Sequence, residues 1–549
     1  MAKKSTLATF VTLLFIFSIF IVPLASAVDT PPAKPDGDSS SAPSAPPDSS
    51  GAPSTSTAPG GAPGSTTSSN VSHTGATTFT ADTSESSQTY TSTTGGENAI
   101  LVSGGTVNLT YPVIEKSGDS DGDNADFYGT NAAVFVNNGA TLNITGGSLI
   151  TNGAHANGLF AYGTGVLNAS DTAIETNPNN SGGIMVTGGG TLTANNLNVI
   201  TRGNSSAPIR SDRGGGTITV NGGEYESNGV GSPAIYSTAD ITVNNSTLLA
   251  TASEGVIVEG ANSVTLNNTF LTDTNNQLNG QSETYKNIFL YQSMSGDADE
   301  GTATFTAKNS TITTMNGDTF FVTNTTATIS LENNVFTNDS GDFLRIQAGA
   351  WGTSGKNGGN VTLNLTNQKA KGDIIVDSIS TLNINATDES VIIGAINHEN
   401  TGTVSLALSE DSILSLTADT YLSSLTNADA DNYNIYSNGQ YKLFVNGTEV
   451  SINGGTYVET TTNNSTTTDT ATATTENKND NTFIYIIVGV LVALTLAGVI
   501  LFIILHFKNK KSSSPKSPNT PQNLGDVPPT IQTPPTPSQP TTPPSNPVL

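Results

Sequence analysis

The sequence predicts an all-β fold: a right-handed parallel β-helix ectodomain, then one transmembrane helix and a disordered Pro-rich tail. Three observations predict it. A unit recurs about every 25 residues, as in AAVFVNNGATLNITGGSLITNG (132 to 153), NGLFAYGTGVLNASDTAIETN (157 to 177) and GGIMVTGGGTLTANNLNVITRG (182 to 203). A fixed period of this size marks a solenoid, whereas a propeller blade needs roughly 40 residues or more. Each unit holds three short runs in which apolar, often β-branched residues alternate with polar ones, broken by Gly, Asn, Thr or Ser. Alternation at period two means strands and the punctuation means turns. Charged residues make up only 12 % of the chain, against roughly 25 % in ordinary globular proteins. That bias suits stacked coils with small, hydrogen-bonding corners.

In chain order, residues 1–27 read as a secretory signal: Lys3 and Lys4, an apolar run from Leu7 to Val22, and Ala25-Ser26-Ala27 as a small-x-small cleavage site. An uncleaved anchor is the other reading of the same run. Residues 28–75 form a Pro/Ser/Gly-rich arm that cannot bury a core. The β-helix is expected over 76–457, with coils at about 4.8 Å spacing and loops thrown out near 275–300 and 347–358. Residues 458–481 are a Thr/Asn-rich stalk. Residues 482–507 are apolar and free of charged side chains, longer than the ~20 residues that cross a bilayer. Lys508, Lys510 and Lys511 follow, so the positive-inside rule places the C-terminus in the cytoplasm. The expectation is a type I plasma-membrane protein with an extracellular N-terminus. Residues 508–549 are a cytoplasmic Pro/Ser/Thr-rich tail with extended, Pro-rich docking segments.

The chain has no cysteine, so its stability must come from ladder hydrogen bonds and a stacked apolar core, which a solenoid supplies coil by coil. Its formal net charge of −26 repels nucleic acid and anionic lipid. It suits binding of neutral glycans or cations.

The first strand of each coil carries the candidate site. Alternation turns Val134, Leu159, Ile184, Ile209, Ile235, Val256, Ile288 and Phe320 inward, and Phe135, Phe160, Met185, Arg210, Tyr236, Ile257, Phe289 and Phe321 outward. The near-constant spacing stacks these outward residues in one column, with Tyr162 and Tyr291 in the next. A row of large apolar side chains outside the coil is either a face for sugar rings or a protein partner, or a face covered by loops or the N-terminal arm. The candidate ligand-binding face is Phe135, Phe160, Tyr162, Met185, Arg210, Asp212, Tyr236, Phe289, Tyr291 and Phe321.

Asp119, Asp121, Asp123 and Asp126 alternate in a Gly-containing loop, KSGDSDGDNADFYG. They could wrap calcium or simply be solvated; the EF-hand pattern fails because Asn124 stands where it needs Gly. No cofactor is required. Arg202, Arg210, Asp212 and Arg213 concentrate the arginines on one or two coils, yet no carboxylate pair of the glycosidase kind assembles around them. A binding protein rather than an enzyme is expected: an attachment protein first, a carbohydrate-binding module without an adhesive role as the alternative, and a polysaccharide lyase as the third reading. Asn-x-Ser/Thr sequons are dense, for example at Asn108, Asn143, Asn168, Asn204, Asn245, Asn309, Asn360 and Asn446. In the apolar span, Gly489, Ala493 and Ala497 repeat the small-xxx-small pattern of helix dimers. Ala497-Gly498 also offers an intramembrane protease a segment that unwinds readily.

Runs such as GDNADFYGTNAAVFVNNGATLNITGG, NGAHANGLFAYGTG and PIRSDRGGGTITVNGG resemble adhesin-like β-helix surface proteins of anaerobic gut bacteria and archaea and of trichomonad parasites. The resemblance covers roughly residues 95 to 450 and rests on whole coils. It implies a virulence-associated surface protein that attaches to host-cell glycans or surface proteins. Some relatives are carbohydrate-binding, and rhomboid-type cleavage is suggested for some. The wall anchors of the bacterial relatives are absent from this sequence.

Overall fold

Each coil turns three times, and the three strands it contributes join three parallel walls. A computed structural model of the chain describes residues 71–278, 284–293, 295–338 and 340–459. Over these residues the fold is a right-handed-type parallel β-solenoid of about 15 turns, with almost no helix. The first wall is a 12-stranded sheet running from Gly75–Phe79 through Val134–Val136, Leu159–Tyr162, Ile184–Thr187, Ile209–Ser211, Ile235–Ser237, Val256–Glu259, Lys286–Tyr291 and Asp318–Thr323 to Leu344–Ile346 and Ile374–Val376. The second and third walls share a 22-stranded sheet, because strands such as Gly190–Thr201 and Gly216–Ser227 run unbroken round the corner between them.

The alternation read from the sequence sets the core. Val134, Leu159, Ile184, Ile209, Ile235, Val256, Ile288 and Phe320 are all fully buried. They meet Leu142, Leu167, Leu192 and Ile218 from the second wall and Ile174, Val199 and Tyr225 from the third in one continuous apolar column. Thr141–Thr145 has Leu142 and Ile144 buried and its Thr and Asn residues outward, as a half-buried strand requires.

The corner between the second and third walls is a single left-handed residue on coil after coil: Asp171, Asn196, Asn245, Asn268, Asn309, Asn333 and Asn367 have φ between 46 and 54°, and Gly146 and Gly222 fill the same place. Asn, Asp and Gly tolerate this conformation and other residues rarely do, which accounts for much of the Asn and Gly in the composition. Beside this corner the outer face of the second wall carries asparagine ladders. Asn168 donates to Asn143 and Asn143 to Asn108, each at 2.9 Å; Asn267 donates to Asn244 and Asn244 to Asn221, each at 3.0 Å.

The far end closes differently. Leu443–Val445 pairs in parallel with Thr420–Leu422 in a separate three-stranded sheet. Thr448–Val450 then turns back and pairs with it antiparallel, covering its free edge. Residues 1–70 and 460–549, on which the signal, most of the arm and of the stalk, the apolar span and the tail are read, with Gly489, Ala493, Ala497 and Gly498, lie outside the described residues. No described helix is long and apolar enough to cross a membrane.

Candidate functional site

The outward column of the first wall stacks as its spacing predicts. Leu101, Phe135, Phe160, Met185, Arg210, Tyr236, Ile257, Phe289, Phe321 and Arg345 are partners in strict succession along the sheet. Of the two readings of this column, an open ligand face or a face covered by other segments, the covered one holds for much of its length. Phe135, Phe160 and Met185 are fully buried, and Phe289, Tyr291 and Phe321 nearly so. They pack outside the coil, as two satellite clusters separate from the main core, beneath segments that fold back over the wall. Burying such rings releases roughly 25 cal/mol per Å² of apolar surface, which favours a cover wherever the chain has slack.

The first cover is 117–131, with the short helix Gly122–Asp126. The Phe127 carbonyl accepts from Thr187 Oγ1 at 2.8 Å, and Tyr128 meets Tyr162 edge-on at 6.2 Å. His73, from the segment preceding the first strand, stacks on Phe135 at 3.9 Å. Gly129 (φ 71°) lies so close that a Cβ there would stand 2.7 Å from the Phe135 ring.

This cover also carries the four aspartates read either as a calcium loop or as a solvated one. Asp119 accepts from the Ala154 amide at 2.8 Å, Asp123 from Arg213 at 2.9 Å and Asp126 from His155 at 2.7 Å. Asp121 stands at the N-cap of the short helix without a side-chain capping bond. Three of the four carboxylates thus serve separate partners rather than converging on one point. Among the described residues no group of three or more His, Asp or Glu side chains is arranged to hold a metal.

The arginines occupy the middle of the column. Arg210 is largely buried, donates to Asp212 at 3.0 Å and also caps the Ser205 carbonyl at 3.1 Å. Burial pushes the Asp212 carboxyl up to about 6; Arg210 opposes that shift and Asp297 adds to it. Arg213 pairs with Asp123 of the first cover at 2.9 Å and with Asp297 of the 292–301 loop at 2.6 Å, its guanidinium 3.8 Å from the Phe127 ring centre. One side chain therefore ties two covers together. Arg202 stands apart, in an exposed pair with Glu175.

The second cover, from 292–301 and 347–358, is incomplete. Trp351 lies against Phe289 (5.4 Å between ring centres) and Tyr291 (4.9 Å), which are themselves stacked at 4.5 Å. A cavity of about 350 Å³ remains, lined by Tyr236, Ile257, Phe289, Tyr291, Trp351, Glu254, Glu259, Ser293, Ser295 and Asp297. Its polar groups are organised round Glu259, which is 1 % exposed. That carboxylate accepts from the Tyr236 hydroxyl at 2.5 Å, the Tyr291 hydroxyl at 3.0 Å, the Ser293 amide at 3.3 Å and the Ser293 hydroxyl. Burial, with Glu259 nearby, holds both tyrosines well above their usual pKa, so the hydroxyls keep their protons and donate. Glu254 is neutralised by Lys286 at 3.3 Å, whose ammonium also sits 4.6 Å from the Phe289 ring centre.

A wider groove of about 930 Å³ lies alongside, lined by polar residues such as Glu300, Asn324, Thr353, Lys356 and Asn360. Its lining contains no aromatic ring, so the aromatic cavity is the better candidate despite its smaller volume.

Of the residues singled out in the sequence, Tyr236, Phe289 and Tyr291 line this cavity. Phe321 packs in the same cluster. Phe135, Phe160, Met185 and Tyr162 belong to the other cluster under the first cover. Glu259, Ser293 and Trp351 are additions. Glu259 carries a readable signal, since it shares the column of Tyr291, its partner on the next strand.

The fold and site define a class, a parallel β-solenoid with a ligand-sized aromatic cleft on one wall. Compared with known proteins, the chain matches no family model, no curated protein and no solved structure.

Proposed function

We propose that this chain is a type I cell-surface attachment protein whose solenoid presents a glycan-binding cleft on its first wall. The apolar segment 482–507 would hold it in the plasma membrane, and the Ala497-Gly498 step would be open to rhomboid-type release. The observation that carries the reading is the cleft itself: Tyr236, Phe289, Tyr291 and Trp351 offer ring faces, while Ser295 and Asp297 add polar groups to its lining. Carbohydrate sites combine these two features, since apolar sugar faces stack on aromatics and sugar hydroxyls need fixed polar partners. A binding role fits better than turnover, because of the carboxylates lining the cleft Glu254 and Asp297 are each engaged by a cation and Glu259 is held by hydrogen bonds from Tyr236, Tyr291 and Ser293.

The test is attachment to host cells of cells displaying the intact chain or the Trp351→Ala chain at equal surface density. A severalfold loss with the variant, matched by competition from soluble glycans on the intact chain, supports the proposal. Undiminished attachment by Trp351→Ala refutes it. Phe160→Ala would not probe ligand contact, because Phe160 lies beneath the 117–131 cover.

A further inference from the structure

We infer that the aromatic cleft recognises an unacetylated amino sugar, with the ligand's single ammonium group drawn to Glu259. This rests on reading the cleft as a glycan site and names the kind of sugar that the site takes.

The argument is one of charge balance in a confined space. Three carboxylates line the cavity. Glu254 has Lys286 and Asp297 has Arg213. Glu259 has neither: no Lys or Arg among the described residues lies within ion-pair distance of it, and its partners are hydroxyls and an amide. A buried carboxylate without a counter-ion is costly, and hydroxyl donors repay only part of its lost hydration. Glu259 is therefore the carboxylate of the lining that has no cationic partner among the described residues. A monocation supplies that partner and a neutral sugar does not.

Ring faces strengthen the case, since ammonium groups are attracted to aromatic faces within about 6 Å. The wall already contains one such arrangement: the Lys286 ammonium, paired with Glu254, lies against Phe289. A second carboxylate beside Tyr291 and Trp351 repeats the same elements, with the place of the lysine left to the ligand. A sugar suits the cavity better than a lysine side chain does. The space of about 350 Å³ is within the range of small-ligand sites and wider than an alkyl chain needs. Ser295 and Asp297 also line it and supply oxygens that can accept from ring hydroxyls.

Trp351 is the only tryptophan of the chain, so its fluorescence reports on this cavity alone. Full-length protein is titrated with glucosamine, N-acetylglucosamine, glucose and a lysine-containing dipeptide. The expected result is a saturable change with glucosamine, at least tenfold weaker for the two neutral sugars and for the dipeptide, and weakened by salt. Glu259→Gln should lower glucosamine affinity at least tenfold, while Glu300→Gln, which alters the neighbouring groove, should not. Comparing charged with neutral sugars on the unaltered chain stands even if Glu259→Gln misfolds. Equal binding of glucose and glucosamine, tighter binding of the dipeptide, or no response to any of the four overturns the inference. Glucosamine binding as expected, with attachment insensitive to Trp351→Ala, would leave this inference standing and remove the attachment role.

Discussion

Replacing Arg213 with Ala should loosen both covers of the first wall at once. Its side chain is 36 % exposed, Asp123 67 % and Asp297 19 %. At such exposure the Asp123 pair contributes at most a few tenths of a kcal/mol and the Asp297 pair about 1 kcal/mol, after screening by solvent. The guanidinium over Phe127, at 3.8 Å, adds ~0.5–1 kcal/mol. Together these hold the covers closed by about 1–2 kcal/mol, equivalent to a factor of about 5–30 in the open population. Amide hydrogen exchange reads this directly. Residues 119–131 and 295–299 should exchange faster by that factor in Arg213→Ala, while the second and third walls keep their protection. High salt should produce part of the same effect on the unaltered chain, as a short screening length weakens exposed pairs. Acceleration of one cover without the other would refute the idea that a single side chain couples them.

Three further outcomes follow from the geometry. Stability should fall as pH rises: burial holds Asp212 up to about 6 and Asp273 up to about 8, so between the ordinary carboxyl value of ~4 and those values the folded chain keeps protons that the unfolded chain has released. Thermal melts should therefore give a lower Tm at pH 8 than at pH 5, and Asp273→Asn should flatten that slope; a Tm rising over this interval would count against the assignment. Gly129→Ala should cost the 117–131 cover ~1–2 kcal/mol for the left-handed conformation, and more for the clash with Phe135, seen as faster exchange confined to that cover. Where the chain is N-glycosylated, glycopeptide mass spectrometry should find sugar at Asn309, an exposed corner residue, and at Asn446, exposed in the turn before Thr448–Val450, since the side-chain nitrogens of both donate to no described residue. Asn143 and Asn168 should be bare, since the same nitrogens are committed to the ladder; heavy occupancy there would mean that the ladder does not form.

How much was legible follows from which features repeat. Any residue that returned at the same point of every coil could be placed: Val134 and Leu159 inside, Phe135 and Phe160 outside, in one column. The left-handed corner was visible only as a surplus of Asn and Gly, because composition records that a conformation is needed without locating it. What covers the column was not legible. Alternation assigns a side chain to one side of a strand and says nothing of what later folds over that side, so a covered face and an open one read alike at Phe135. Trp351 escaped notice for a related reason. It occurs once, in a segment between coils, and periodicity has no purchase on a residue without counterparts.

The antiparallel return of Thr448–Val450 has a consequence for how the rod ends. A parallel stack is an open template, since its last strand presents the same unpaired amides and carbonyls that received every strand before it, and another chain could continue the series. Reversing direction spends that edge on a partner of opposite polarity, so the growth rule of the solenoid no longer applies there. Removing residues 446–459 should therefore turn a discrete particle into one that joins end to end, visible as concentration-dependent filaments. The length of the rod would then be set by the few residues that stop it as much as by the coils that build it.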